Sequence, residues 1–106
     1  MNNVYIMSAN RSAIGGFGGT LKNHCPVDLG TLVAKEAIAR SKYEANEVEH
    51  AVFGNVIHTE PRDMYVSRVI ALQAGMDKAS AALTVNRLCG SGLQAIVSAS
   101  QIIMLG

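Results

Sequence analysis

Apolar and polar positions alternate along the chain in blocks that predict three strands and three helices. Val4 to Ala9 (VYIMSA) is β-branched, aromatic and apolar without clean alternation, which predicts a strand buried on both faces. Arg11 to Thr20 holds four of the ten glycines and predicts a loop. Pro26-Val27-Asp28 then has the features of a helix start, proline in the first turn and an acid near the positive end. Leu29, Leu32, Val33, Ala37 and Ile38 carry an apolar stripe to about Arg40, while Lys35, Glu36 and Arg40 face water. The polar run Ser41 to Glu49 predicts a short helical turn or loop. Ala51 to Ile57 (AVFGNVI) predicts a second strand, in which Gly54 permits a bulge or a close neighbouring backbone. His58 to Asp63 is a loop broken by Pro61. Met64 to Ala74 predicts a helix with Val66, Val69, Ile70 and Gln73 on one face and Gly75 placed to cap it. Lys78 to Ala82 leads into a third strand, Leu83 to Asn86. The order β–α–β–α–β–α implies an α/β fold with a parallel or mixed sheet and helices on its faces.

The last block differs from the others. After the tight segment Arg87-Leu88-Cys89-Gly90-Ser91-Gly92, a helical pattern runs to Gly106 with Leu93, Ile96, Val97, Ile102, Ile103 and Leu105. No Lys, Arg, Asp or Glu follows Arg87. A helix apolar on nearly all sides is expected inside a protein. A strand feeding a small-residue turn that opens such a helix puts Cys89 at the helix N-terminus, where unpaired N–H groups and the macrodipole favour negative charge. A model cysteine titrates near ~8.5. A helix N-terminus is worth up to ~2 kcal/mol to a negative charge placed there. The thiolate is the nucleophile, and Gly90, Ser91 and Gly92 leave room for a bulky acyl group. The competing reading is that Cys89 is a small apolar core residue, as most lone cysteines are.

Composition bounds the remaining function classes. A 106-residue chain can form one domain burying ~65% of its unfolded surface. Its 49% apolar and 16% charged residues belong to a folded interior. A net charge of +1 with scattered Lys and Arg argues against nucleic acid as a partner. Cys25 and Cys89 form neither a disulfide framework nor a CxxC pair, which points to a reducing compartment. MNNVYIMSAN does not read as a signal peptide, and no stretch is expected to approach membrane-spanning length. These features predict a soluble cytoplasmic protein.

Other candidates for chemistry are weaker. GGFGG lacks the GxGxxG spacing and any GK[ST], so a plain flexible loop is preferred to a phosphate cradle. His24 adjoins Cys25, but adjacent side chains rarely converge, and His50 and His58 sit at the two ends of one predicted strand; exposed or hydrogen-bonded histidine is the preferred reading for all three. No metal site is expected, because no His, Cys or acidic residues have ligand spacing beside a second pair. Glu60, Arg62 and Asp63 suit a local salt-bridged loop or contact with a partner subunit, and the local loop is preferred. Leu88, directly before Cys89, is a candidate for lining an acyl pocket or for the core. The Cys89 backbone N–H is a candidate oxyanion donor.

The run Val85 to Ala95 (VNRLCGSGLQA) resembles the acyl-enzyme cysteine motif of the thiolases, the acetyl-CoA C-acetyltransferases and 3-ketoacyl-CoA thiolases. Asn10 to Gly19 resembles their opening loop, and Asp28-Leu29-Gly30 with Lys35-Glu36-Ala37-Ile38 their first helix. Phe53 to Ile57 and Glu60 to Tyr65 are similar to the bacterial β-ketothiolases. Ala13 stands where that family usually has proline. The resemblance covers residues 1–106 as the N-terminal part of a thiolase N-terminal domain, in the first of two similar β/α halves, a layered sheet with a buried central helix. It implies an acyltransferase: Cys89 becomes an acyl-cysteine, and 3-ketoacyl-CoA or acetoacetyl-CoA is made or cleaved. Coenzyme A is then substrate, with no permanent cofactor or metal. The family is oligomeric and active in fatty acid metabolism. Its partner histidine, second cysteine and asparagine, and the glycine N–H that joins the Cys89 N–H in the oxyanion site, come from segments beyond these residues. The isolated chain is therefore expected to turn over little. The alternatives are a related condensing enzyme, of the ketoacyl synthase or hydroxymethylglutaryl-CoA synthase type, and a non-catalytic structural subunit.

Overall fold

The structure is a computed structural model describing all 106 residues, Met1 to Gly106. It contains α1 (Pro26–Ser41), a 3-10 turn (Ala45–Glu47), β1 (His50–Gly54), a second 3-10 turn (Pro61–Tyr65), α2 (Val66–Gln73), β2 (Ala81–Val85) and α3 (Ser91–Leu105). β1 and β2 pair in parallel, with His50 opposite Ala81 and Gly54 opposite Val85. Parallel pairing needs a crossover, and the second 3-10 turn with α2 supplies it. Side chains alternate across a strand. On β1, Ala51 and Phe53 pack towards α2, whereas Val52 lines a cavity with Ala95 and Ile96 of α3. The sheet therefore lies between α2 and α3, and α1 packs on the outer side of α2.

Two small cores form on the α2 side. Val27, Val66 and Ile70 make one, and Ala51, Ala71 and Met76 the other, with Phe53 touching both. α1 approaches α2 closely because Gly30 carries no side chain: a methyl there would overlap Ile70 Cδ1. Pro26 sits in the first turn of α1 and Asp28 follows it, as expected. Gly75, at φ 94°, closes α2 with its N–H on the Leu72 carbonyl, 3.1 Å away. Between the layers the Ser67 hydroxyl donates to the Leu83 carbonyl at 2.8 Å and accepts from the Phe53 N–H at 3.1 Å, which ties α2 to both strands.

Six expectations require correction. Val4 to Ala9 is not a laddered strand: it runs extended past Val52 and α3. Its fixed points are instead Ser8 Oγ on the Ala37 carbonyl and, just beyond it, Asn10 Nδ2 on the Val33 carbonyl. A strand needs a partner's ladder, and Tyr5, Ile6 and Met7 are exposed here. β1 ends at Gly54 and not Ile57, where the chain meets α3, and β2 begins two residues early. The helix expected over Met64 to Ala74 opens as a 3-10 turn from Pro61, and its α-helical part begins at Val66. Finally, α3 is seated on β1 through the buried Ala95 while Leu93, Ile96, Val97 and Leu105 stay exposed. No element of this chain covers those faces. By length and composition alone, Leu88–Leu105 could also cross a membrane, contrary to the expectation that no stretch approaches that length.

Candidate active site

Cys89 lies in the connection between β2 and α3, exposed to solvent. The helix begins one step later than the sequence suggests: Gly90 is the cap residue and Ser91 the first helical one. A turn joins Arg87 to Gly90, whose N–H reaches the Arg87 carbonyl at 3.0 Å. Leu88, at φ 48°, occupies the left-handed region that side chains other than those of Gly, Asn and Asp seldom enter. Three groups hold it there. The Leu88 N–H donates to Asn86 Oδ1 at 3.0 Å. The Leu88 carbonyl accepts from the Ser91 hydroxyl at 2.6 Å and from the Ser91 N–H at 3.0 Å. The same hydroxyl accepts the Arg87 N–H at 2.8 Å. Strain of this kind is worth about 1–3 kcal/mol and persists only where neighbours over-determine it.

Ser91 is buried at 5% exposure, and the end of β1 presses on it. A Cβ built on Gly54 would lie 2.7 Å from both Ser91 C and Cβ and 2.8 Å from its carbonyl oxygen. Only glycine lets β1 and the start of α3 approach this closely. The N–H groups of Cys89, Gly92 and Leu93 have no acceptor within the chain. The segment from Cys89 to Leu93 therefore carries an exposed thiol and three free amide donors. Leu88 stands next to it, 68% exposed. Arg87 turns to Gln94 Oε1 at 2.6 Å.

The other sequence candidates do not join this site. The largest cavity, about 640 Å³, is lined by Lys22, His24, Cys25, Thr59 and Glu60, and not by Cys89. Cys25 caps α1 without a formed side-chain hydrogen bond. The Asp28 amide pulls its thiol down, but the Asp28 carboxylate, burial and the Glu60 charge together hold it above its ordinary value. Arg62 lies 3.7 Å from that sulfur and 3.0 Å from Glu60, whose hydrogen bond and charge raise the guanidinium. Asp63, expected to share this ion-paired loop, is instead fully buried. Its Oδ2 accepts the Thr59 N–H at 2.6 Å, the Thr59 hydroxyl at 2.8 Å and the Glu60 N–H at 3.1 Å, while Oδ1 has no partner. Burial pushes this carboxyl up, yet the Thr59 and Glu60 donors and the nearby His58 outweigh it and hold it below the usual range. The roles of Asn86 and Ser91 were missed in the sequence, where Asn86 reads as the end of a strand and Ser91 as a small spacer, whereas the close backbone approach at Gly54 was anticipated without its partner.

An α/β layer with a cysteine on a tight strand-to-helix turn is the class of protein these features define. Residues 4–106 match the thiolase N-terminal domain, and the chain belongs to the thiolase family. It is 59% identical over 103 residues to the β-ketothiolase BktB of Cupriavidus necator, a match covering 97% of this chain and 26% of that protein. It is 38% identical over 106 residues to the acetyl-CoA acetyltransferase of Escherichia coli, covering all of this chain and 27% of that protein. Among solved structures, a thiolase from Ascaris suum in complex with coenzyme A superposes with a TM-score of 0.89 at 33% identity, covering 96% of this chain and 26% of that one. The chain thus spans about a quarter of the length of the curated relatives it matches.

Proposed function

We propose that this chain supplies the nucleophile of a β-ketothiolase, with Cys89 carrying the acyl group between two molecules of coenzyme A. The observation that carries this reading is the exposed Cys89 thiol on a turn whose neighbouring N–H groups are free. The Cys89 thiolate attacks the carbonyl carbon of an acyl thioester or 3-ketoacyl thioester. A carbon–sulfur bond to Cys89 forms, and the negative charge gathers on the carbonyl oxygen, beside the Cys89 N–H. As that intermediate collapses, coenzyme A thiolate or the enolate of acetyl-CoA leaves and takes up a proton. The reverse sequence makes 3-ketoacyl-CoA. Leu88 lines the acyl side of the turn.

The histidines of this chain are not near Cys89 in sequence and lie outside its turn, so the proton donor to the leaving group is supplied by other residues of a complete enzyme. The similarity to BktB supports the bacterial β-ketothiolase assignment over a ketoacyl synthase. The exposed apolar faces of α3 are read as surfaces that further thiolase layers cover, and not as a membrane span, because Ala95 already seats the helix on β1. The complete enzyme is read as a cytoplasmic homo-oligomer of fatty acid metabolism.

Incubation of the 106-residue chain with acetyl-CoA tests this reading. The expected outcome is one acetyl group on Cys89 by mass spectrometry, without sustained acetoacetyl-CoA formation. Acetylation elsewhere, or none at Cys89, refutes the nucleophile. Sustained acetoacetyl-CoA formation would show that the proton-transfer groups are already present.

A further inference from the structure

We infer that Ser91 is a positioning residue that aims and strengthens the Cys89 N–H as the oxyanion donor, an inference that rests on the acyl-cysteine reading above. The Leu88–Cys89 peptide is trans and planar, so its C=O and its N–H point in opposite directions. Two donors draw the Leu88 carbonyl to one side, the Ser91 hydroxyl at 2.6 Å and the Ser91 N–H at 3.0 Å. That turns the Cys89 N–H to the opposite side, where it meets no acceptor in the chain. Hydrogen bonds accepted by an amide carbonyl polarise the amide and make its N–H a stronger donor. The hydroxyl thus acts on the reacting carbonyl through one peptide group without touching it.

The placement of Ser91 is over-determined. Its hydroxyl also accepts the Arg87 N–H at 2.8 Å, and Asn86 Oδ1 takes the Leu88 N–H at 3.0 Å from the other side of the turn. The bare Gly54 backbone leaves no space for Ser91 to retreat. A serine serving only to start α3 would be expected at the cap position, but Gly90 holds that place and Ser91 lies inside the helix.

The experiment compares two reactions of one sulfur in the full expressed polypeptide that carries this sequence. Alkylation of Cys89 by iodoacetamide displaces iodide at a saturated carbon and develops no oxyanion. Acetylation by acetyl-CoA does develop one. For Ser91→Ala, single-turnover acetylation is expected to fall at least about tenfold, with alkylation held within about twofold. An equal fall in both rates, which a merely structural role would give, overturns the inference, as does no change in either. Should Ser91→Ala fail to fold, Asn86→Ala decides, since Asn86 is exposed and grips the same turn. Slower acetylation with unchanged alkylation supports the inference, and unchanged acetylation overturns it. An unsubstituted protein that is alkylated at Cys89 but never acetylated there overturns the acyl-cysteine reading itself.

Discussion

Gly54→Ala places the most direct load on the Cys89 turn without touching it. Gly54 has no positive φ, so alanine meets no conformational barrier and the effect is steric. The added methyl would lie 2.7–2.8 Å from three atoms of Ser91, two of them backbone, which cannot rotate away. Overpacking costs ~1–3 kcal/mol, and an obstacle made of backbone belongs at the upper end, about 3 kcal/mol. The smaller conformational freedom of alanine in the unfolded chain returns about 0.5–1 kcal/mol. The net expectation is a loss of about 2 kcal/mol, or a fall in urea midpoint of about 1 M for a small protein with a slope near ~2 kcal/mol/M. Gly92→Ala is the matched control: a Cβ there meets nothing within 4 Å, and helix propensity makes the change neutral to stabilising by up to about 1 kcal/mol. Because the methyl pushes on Ser91, Gly54→Ala should also slow Cys89 acetylation, and Gly92→Ala serves as the control for stability. Equal midpoints for Gly54→Ala and the parent would refute the reasoning.

Ile70→Ala removes the centre of the larger contact between α1, α2 and β1, where Ile70 is 1% exposed, and should cost about 3 kcal/mol in the same unfolding assay. Because Ile70 Cδ1 occupies the space a Gly30 methyl would need, Gly30→Ala with Ile70→Ala should be less destabilised than the two single losses added together. Asp63→Asn should reveal a pH dependence. Asp63 holds its proton less tightly folded than unfolded, so its contribution to stability is present above the unfolded value near ~3.9 and is lost as pH falls through the lower folded value. The difference in urea midpoint between parent and Asp63→Asn should therefore be constant from neutral pH to about 5 and shrink below about 4. A difference that grows on acidification would refute the assignment.

Element order was legible in the sequence because apolar spacing, Pro26, Gly75 and the Cys89 turn are local signals. Their physics acts over a few residues, and α1, α2, β2 and α3 duly form where those signals fall. The first segment was not legible, since Val4 to Ala9 has strand composition but a strand exists only with a hydrogen-bonded partner. The exposure of α3 within this chain was not legible for a related reason: its sequence records how apolar it is, and only neighbouring elements determine what covers it. The turn that carries Cys89 was legible from its small residues, yet the groups that hold that turn were not. Ser91 reads as a small spacer beside a glycine, and its bonds to Arg87 and Leu88 arise from the turn's geometry. Gly54 suggested close backbone approach, but nothing in one sequence says that the approaching backbone belongs to residue 91. Asp63 looked like part of a surface ion pair because its neighbours Glu60 and Arg62 are one.

Leu88 limits how the neighbourhood of Cys89 can be redesigned. A backbone twisted to φ 48° tolerates a side chain unbranched at Cβ under restraint, but valine, isoleucine or threonine would crowd Cβ against the adjoining carbonyl. The position beside Cys89 can be made smaller with glycine or asparagine, or longer with methionine. It cannot be made bulkier at its base without unwinding the turn.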